Sequence, residues 1–430
     1  IRRYDKFTKT FLSPLTTLDG LPDNRVQRLA FDQNTGDLWF ETPSGGGRWI
    51  SRLGIMSLVG QTPAILRKPK LQEHLPSVVM PFGYYLEPNR IRGPRQDYPV
   101  TETLIDAWGD FWLGTWGLGV GRADMRDEQL SFLRYGPLEE NVTAIARDGD
   151  AIWFGGEDTY RAPARGITRY HTKSKTWEYF EAAQIIGLDN PQITTILPDS
   201  ANVWFGTHRG LTRYNRKENR WFTYRDSRQW GRVTALARGH KRLWIGTQSG
   251  MAVLDLKDNA LRLVKGSENF RITTLVTGPR NIWAGTRFGL YKCPREDIIW
   301  HPAQDPDNHT RRPIVALSVS QDKLWAATDA PPGLIRLNAP DSTWSEFPLA
   351  EVGGSRYVAV TADTSRVWVA TDLGAFRLNL NNQLWKSFTP TDGLIHDRVQ
   401  ALLLEDEYVW FGTAQGVSRF HWAKDFFEKE

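Results

Sequence analysis

Between residues 203 and 224 the chain reads VWFGTHRGLTRYNRKENRWFTY. Large apolar side chains alternate with small or polar ones on both sides of Gly210, and a polar turn separates this pair of runs from a third run opened by Trp221. Period-two alternation predicts strands, and a glycine at the tip supplies the positive φ that a tight hairpin turn demands. The segment reads as three consecutive strands of an antiparallel sheet.

The pattern recurs along the chain. Its anchoring tryptophan appears as Trp39, Trp112, Trp153, Trp204, Trp244, Trp283, Trp325, Trp368 and Trp410. From Trp204 the intervals are 40, 39, 42, 43 and 42 residues, close to the roughly 40 to 50 residues of a four-stranded propeller blade. The earlier intervals of 73, 41 and 51 show that two copies carry extra chain. Each compact copy follows an alternating run, RVTALA, RITTLV, PIVALS, RYVAVT or RVQALL, which supplies a fourth strand. The chain is therefore expected to be all-β, a single β-propeller domain over residues 1–430 built from four-stranded antiparallel blades. Nine signatures imply nine blades, or eight with the first signature in an irregular sheet. Residues 4–11, YDKFTKTF, look like the outer part of a repeat that lacks its inner part. They are expected to close the ring as its outermost strand beside residues 417–420, with residues 425–429 competing for that place, because closure removes an exposed sheet edge.

Two stretches break the rhythm. Residues 54–99 hold prolines at 63, 69, 76, 81, 88, 94 and 99, which argues against central strands and for a long excursion with one hairpin around residues 84–91. The excursion also carries Arg67, Lys68, Lys70, Arg90, Arg92 and Arg95, and reads either as a solvated loop or as an anion- or partner-binding flap. At about residues 155–166 a hairpin has grown by several residues and projects outward.

An apolar residue, Trp, an apolar residue, Gly, Thr, two variable residues, Gly, Leu and then Arg-Tyr: this succession resembles the two-component regulator propeller repeat. The copy at residues 203–214 matches throughout and that at 409–420 nearly so, whereas those at Trp39, Trp325 and Trp368 lose the first glycine. The resemblance implies an extracytoplasmic propeller of the kind found in bacterial sensor proteins, often ahead of a membrane helix and a kinase. This sequence shows neither of those segments, so the expectation is a free-standing propeller, a subunit of a larger assembly, or a sensor domain whose kinase sits on another polypeptide.

Composition changes the picture only at the edges. The 19 tryptophans and 37 glycines suit many short strands and tight turns. No apolar run approaches the roughly 18 residues of a membrane helix, so the chain is not expected to span a membrane. A net charge of +5 over 430 residues, with the basic residues dispersed, gives no reason to expect nucleic-acid binding. Cys293 is the single cysteine, which excludes an internal disulfide framework and a multi-cysteine zinc site. The chain begins at Ile1, as a mature or trimmed product would.

The repeated tryptophans are best explained as packing between neighbouring blades, while Trp116 and Trp230, at a hairpin tip and in a loop, are candidates for exposed stacking platforms. In a propeller the tip between the second and third strands shares a face with the loop entering the next blade. Trp116, His208, Arg209, Gln248, Ser249, Arg287, Phe288, Asp329, Asp372 and Gln415 should therefore converge around one mouth of the channel, as candidate ligand-binding residues. No catalytic residue, metal ligand or cofactor is assigned: there is no HExxH, GxSxG or phosphate-cradling glycine loop. His208, His301, His309 and His396 would have to meet on the tip face for a metal-dependent lyase, resembling the streptogramin lyases, acting on a polysaccharide or cyclic peptide. The leading expectation is a non-enzymatic, periplasmic or extracellular propeller that binds a protein partner or a polysaccharide-like polymer through its loop face.

Overall fold

Alternating runs become strands here because each buries one face against the sheet beside it. The computed structural model describes the chain except residues 6–9, 33, 60–78, 82, 95, 107, 125, 127–128, 161, 225–230, 306, 339–342, 349–355 and 423–430. Each of the nine signature tryptophans lies in the strand that follows the inner strand of its own antiparallel sheet, so nine signatures give nine sheets. The chain divides into two compact units, residues 1–92 with 97–133 and residues 93–96 with 134–430.

The first unit holds two of the sheets. One comprises Arg28–Phe31, Leu38–Thr42, Gly45–Ile50 and Ile55–Val59. The other is six-stranded, because the hairpin of Tyr85–Glu87 and Arg90–Arg92, expected near residues 84–91, pairs onto the inner strand Asp97–Ile105. Within residues 54–99, the stretch 60–78 lies outside the described residues, as do Arg67, Lys68, Lys70 and Arg95. The remaining two cations are committed: Arg90 pairs with Glu87 and Asp97, and Arg92 with Glu87 and Asp97.

The second unit is a ring of seven sheets. Its inner strands are Val142–Asp148, Ile193–Pro198, Val233–Arg238, Ile272–Thr277, Ile314–Ser320, Tyr357–Ala362 and Val399–Leu404. Successive ones adjoin, and the last adjoins the first. Three features of the repeat explain the ring. First, every inner strand carries a bulge at its second residue, which is Thr143, Thr194, Thr234, Thr273, Val315, Val358 or Gln400. A bulged residue is released from its own ladder and its side chain is re-aimed. Here four threonine hydroxyls reach across to the next sheet: Thr143 donates to the Ile193 carbonyl, Thr194 to Val233 and Thr234 to Ile272 at 2.7 Å each, and Thr273 to Ile314 at 2.5 Å. Second, the glycine after the tryptophan makes room for the neighbour. A Cβ on Gly206 would lie 2.6 Å from Val233 of the next inner strand, and one on Gly155 would lie 2.6 Å from Ile193. Third, Trp153, Trp204, Trp244, Trp325 and Trp368 are wholly buried, in clusters that draw side chains from adjacent sheets.

The arginine of the repeat is explained too. Arg213 stands directly across the ladder from Trp204 and lays its guanidinium over the ring at 5.8 Å, and the same register recurs at Arg169 and Trp153, Arg336 and Trp325, Arg377 and Trp368, and Arg419 and Trp410. A cation over an indole face is attracted by the ring quadrupole.

Closure differs from the expectation. The ring closes within residues 134–430, where Gln400 donates to Asn141 and Arg147 pairs with Glu405. The two ends of the expected outer strand at residues 4–11 instead pair with each other, Tyr4 opposite Phe11 and Asp5 opposite Thr10. Seven sheets complete the circle through their inner strands alone, so no borrowed strand is needed to join first to last. The competing residues 425–429 lie outside the described residues, and the last sheet shows three strands among those described.

Candidate functional site

The tips are built by the Gly-Thr pair of the repeat. Thr207 Oγ1 donates to the Gly210 carbonyl and accepts the Arg209 N–H, and the equivalent pair of bonds forms at Thr247, Thr286, Thr371 and Thr413. These buried hydroxyls fix the backbone of each tip and leave its variable side chains outside. Five tips are also tied to the residue that precedes their own inner strand: His208 N–H to the Gln192 carbonyl, Gln248 to Arg232, Asp329 to Pro313, Asp372 to Arg356 and Ala414 to Arg398. Tips and entering loops therefore do share one face of the ring, as the sequence reading requires.

On that face a cavity of about 1130 Å³ opens, walled by side chains of five sheets. Of the residues expected at the mouth, Gln248, Ser249, Arg287 and Asp372 line it. His208 sits beside it, with Nε2 3.0 Å from Glu157, whose carboxylate also binds the cavity-lining Arg232 at 2.5 Å. Arg209, Phe288, Asp329 and Gln415 are carried by tips of the same ring but do not line this cavity. Phe288 is 61% exposed. Trp116 belongs to the first unit, where it is 71% exposed at the tip between Phe111–Thr115 and Gly119–Asp124. Trp230 lies outside the described residues.

The sequence reading missed Arg232, Arg271, Arg356 and Arg398, which line the cavity with Arg287. Their signal was in plain view. Each is the residue immediately before the apolar position that opens an inner strand, in RVTALA, RITTLV, RYVAVT and RVQALL. Below them the bulge residues Thr234, Thr273, Val315 and Val358 narrow the cavity towards the centre, where the seven inner strands enclose a channel of about 260 Å³.

The extended hairpin at residues 157–165 is held down on the same side. Glu139 is buried and its carboxylate accepts the N–H groups of Arg165 at 2.6 Å and Gly166 at 2.8 Å. Burial pushes its carboxyl up to about 7, against the opposing pull of Arg165 and the two backbone donors.

The four histidines considered for a lyase sit in separate local settings. His301 is exposed on the two-residue outer strand His301–Pro302, and His396 Nδ1 accepts the Arg398 N–H. His309 lies between Asp305, at 3.2 Å, and Glu346, at 3.3 Å. Among the described residues, the one group of His, Cys, Asp and Glu close enough to share an ion is Asp305, Asp307 and His309, which includes one of the four. Asp305 is already engaged by His309 Nδ1 and the Thr310 N–H.

With this geometry in hand, solved structures provide the comparison. The chain is similar to PorZ, described as an essential bacterial surface component of the type-IX secretion system of Porphyromonas gingivalis, with 16% identity and a TM-score of 0.56 over 97% of this chain and 64% of that one. It is also similar to the extracellular domain of a putative hybrid two-component system from B. thetaiotaomicron, with 15% identity and a TM-score of 0.53 over 98% of this chain and 66% of that one. The chain spans about two-thirds of the length of each. No protein-family model matches the sequence, and no curated protein matches it. At these identities the likeness shows the fold alone, a β-propeller, which is the fold that the repeat resemblance implies. Among the described residues no helix is long and apolar enough to cross a membrane.

Proposed function

We propose that this chain is a non-enzymatic, periplasmic or extracellular propeller, acting as a scaffold or sensory module that binds a protein partner or a polymeric ligand at the mouth of its seven-sheet ring. The observation that carries the reading is the recess of about 1130 Å³ on the tip face, walled by five sheets whose tips are fixed from below and variable above. Concave sites with a few convergent polar groups on a rigid scaffold are where ligands bind. The extracellular setting of similar propellers supports the location. The placement of His301 on an outer strand, and of His309 and His396 in local pairings, favours binding over lyase chemistry.

The test uses immobilised protein and a panel of purified envelope proteins and surface polysaccharides. Alanine at His208, Arg209 and Arg287 is expected to weaken association with the cognate ligand at least about tenfold while shifting Tm by about 1 °C or less. Association that persists unchanged in this variant would remove the mouth from the site.

A further inference from the structure

The recess is lopsided in charge. Five guanidiniums, those of Arg232, Arg271, Arg287, Arg356 and Arg398, line it against the single carboxylate of Asp372. Asp372 spends one oxygen on the backbone N–H of Arg356, at 2.8 Å. Arg232 has Glu157. Among the described residues, the other four arginines have no carboxylate within ion-pair distance.

Elsewhere in the ring a number of arginines are paired. Arg134 pairs with Glu181, Arg147 with Glu405, Arg169 with Glu178, Arg216 with Asp148 and Arg312 with Glu346. Others are laid over the signature tryptophans. At the mouth, the repeat places Arg232, Arg271, Arg356 and Arg398 at one equivalent position in four sheets, so like charges are gathered where the inner strands converge. Gathering like charges in a concavity with low-dielectric walls raises the local potential and opposes folding unless an anion relieves it. Arg271 also holds a left-handed backbone, φ +44°, which side chains with a Cβ rarely adopt and which recurs at binding sites.

We propose that the mouth binds a compact polyanion, a ligand presenting two or more oxyanion groups, phosphate or carboxylate, to Arg271, Arg287, Arg356 and Arg398 together. The inference rests on the mouth-binding reading above and names its chemistry. Guanidinium is suited to the task because its planar fork donates two parallel hydrogen bonds to one oxyanion and keeps its charge at every accessible pH. Several forks around one recess favour anions that are linked over anions that are single, since the second group binds without a further loss of translational freedom.

Calorimetric titration of the intact chain with tripolyphosphate, with trigalacturonate and with neutral maltotriose tests this and separates the two anion sources. At least one anion is expected to bind one to one and more weakly as salt is raised, and maltotriose is expected not to bind. The Arg271→Gln/Arg398→Gln variant should lose about 100-fold in affinity, about tenfold for each charged hydrogen-bond donor removed. The corresponding double lysine variant should recover part of that loss. Relief of repulsion predicts that the ligand-free glutamine variant melts no lower than the parent, which shows that it folds. Absence of binding by both anions, or equal binding by parent and glutamine variant, overturns the proposal. If both anions fail while the alanine variant at His208, Arg209 and Arg287 still loses its macromolecular ligand, the mouth remains a binding site and only its anionic chemistry is wrong.

Discussion

Trp204 in the ring and Trp39 in the first unit sit at the same place in the same repeat, yet the first is wholly buried and the second only partly so. Both lie across the ladder from an arginine that covers the indole, Arg213 and Arg48. The sheet is therefore encoded locally and forms in both units. What differs is the second residue after the tryptophan. In the ring it is always small: Gly155, Gly206, Gly246, Gly285, Ala327, Ala370 or Gly412. In the first unit's leading sheet it is Glu41, which pairs with Arg28 across the inner strand. On that strand Leu29 is exposed, whereas its ring counterparts Ile196, Leu236, Leu275, Leu317 and Val360 are buried. A repeat signature thus specifies a blade, and a second, smaller set of positions specifies whether that blade can be seated against another.

The sharpest way to break this distinction is to spoil the seat. Gly206→Val puts a branched side chain where even a Cβ would come within 2.6 Å of Val233 and 2.5 Å of Thr195. Overpacking of this kind should cost about 3 kcal/mol or more, measured by urea unfolding. The same change at Gly114 in the first unit meets Thr101 Oγ1 at 3.1 Å as its nearest neighbour, and should cost about 1 kcal/mol. Equal losses would mean that the glycine has no seating role.

That glycine also marks how far the sequence could be read. Sheets, strand order, the tip face and the hairpin near residues 84–91 followed from alternation and turn glycines, because those signals act within a few residues. The closure of seven sheets did not follow. It depends on which inner strands meet, through contacts such as Gln400 with Asn141, 259 residues apart, and nothing in local periodicity reports such a meeting. The mouth was half legible for the same reason. Tip residues such as Gln248 and Arg287 were visible as variable positions inside a fixed motif. The four arginines before the inner strands looked like ordinary polar flanks until the ring brought them together.

Acidity offers a second comparison, of somewhat smaller effect. In the ring, Glu139 is buried and its carboxyl rises from 4.5 to about 7. In the first unit, Asp124 is half-buried, and hydrogen bonds from Arg126 hold it down at about 2. The signs are opposite. A raised acid binds its proton more tightly when folded, so its contribution is complete below pH 4.5 and is lost as pH climbs through 7. Relative to Glu139→Gln, the parent should lose stability on the order of 2 to 3 kcal/mol between pH 4.5 and 7.5. Asp124 contributes above pH 3.8 and loses that contribution as pH falls towards 2, so Asp124→Asn should alter only the acid limb, and slightly. Parallel pH profiles for the parent and Glu139→Gln would refute the buried assignment.

The smallest effect concerns the stitch between sheets. Thr234 Oγ1 donates to the Ile272 carbonyl of the next sheet, while Val315 and Val358 occupy the same bulge with no hydroxyl to offer. With Gln400 also at this place, the ring already tolerates three of its seven positions without the bond. A net hydrogen bond of this type is worth about 1 kcal/mol, and valine preserves the shape. Thr234→Val should cost about 1 kcal/mol, and replacing Thr143, Thr194 and Thr273 as well should add about as much again for each, since the four bonds join different pairs of sheets. Thr101, the exposed residue at the bulge of Asp97–Ile105 in the first unit, should lose no more than about 0.5 kcal/mol on the same change. A quadruple ring variant as stable as the parent would reduce the threonines to space-filling, and would leave the small residues after the tryptophans as the part of the repeat that seats one sheet on the next.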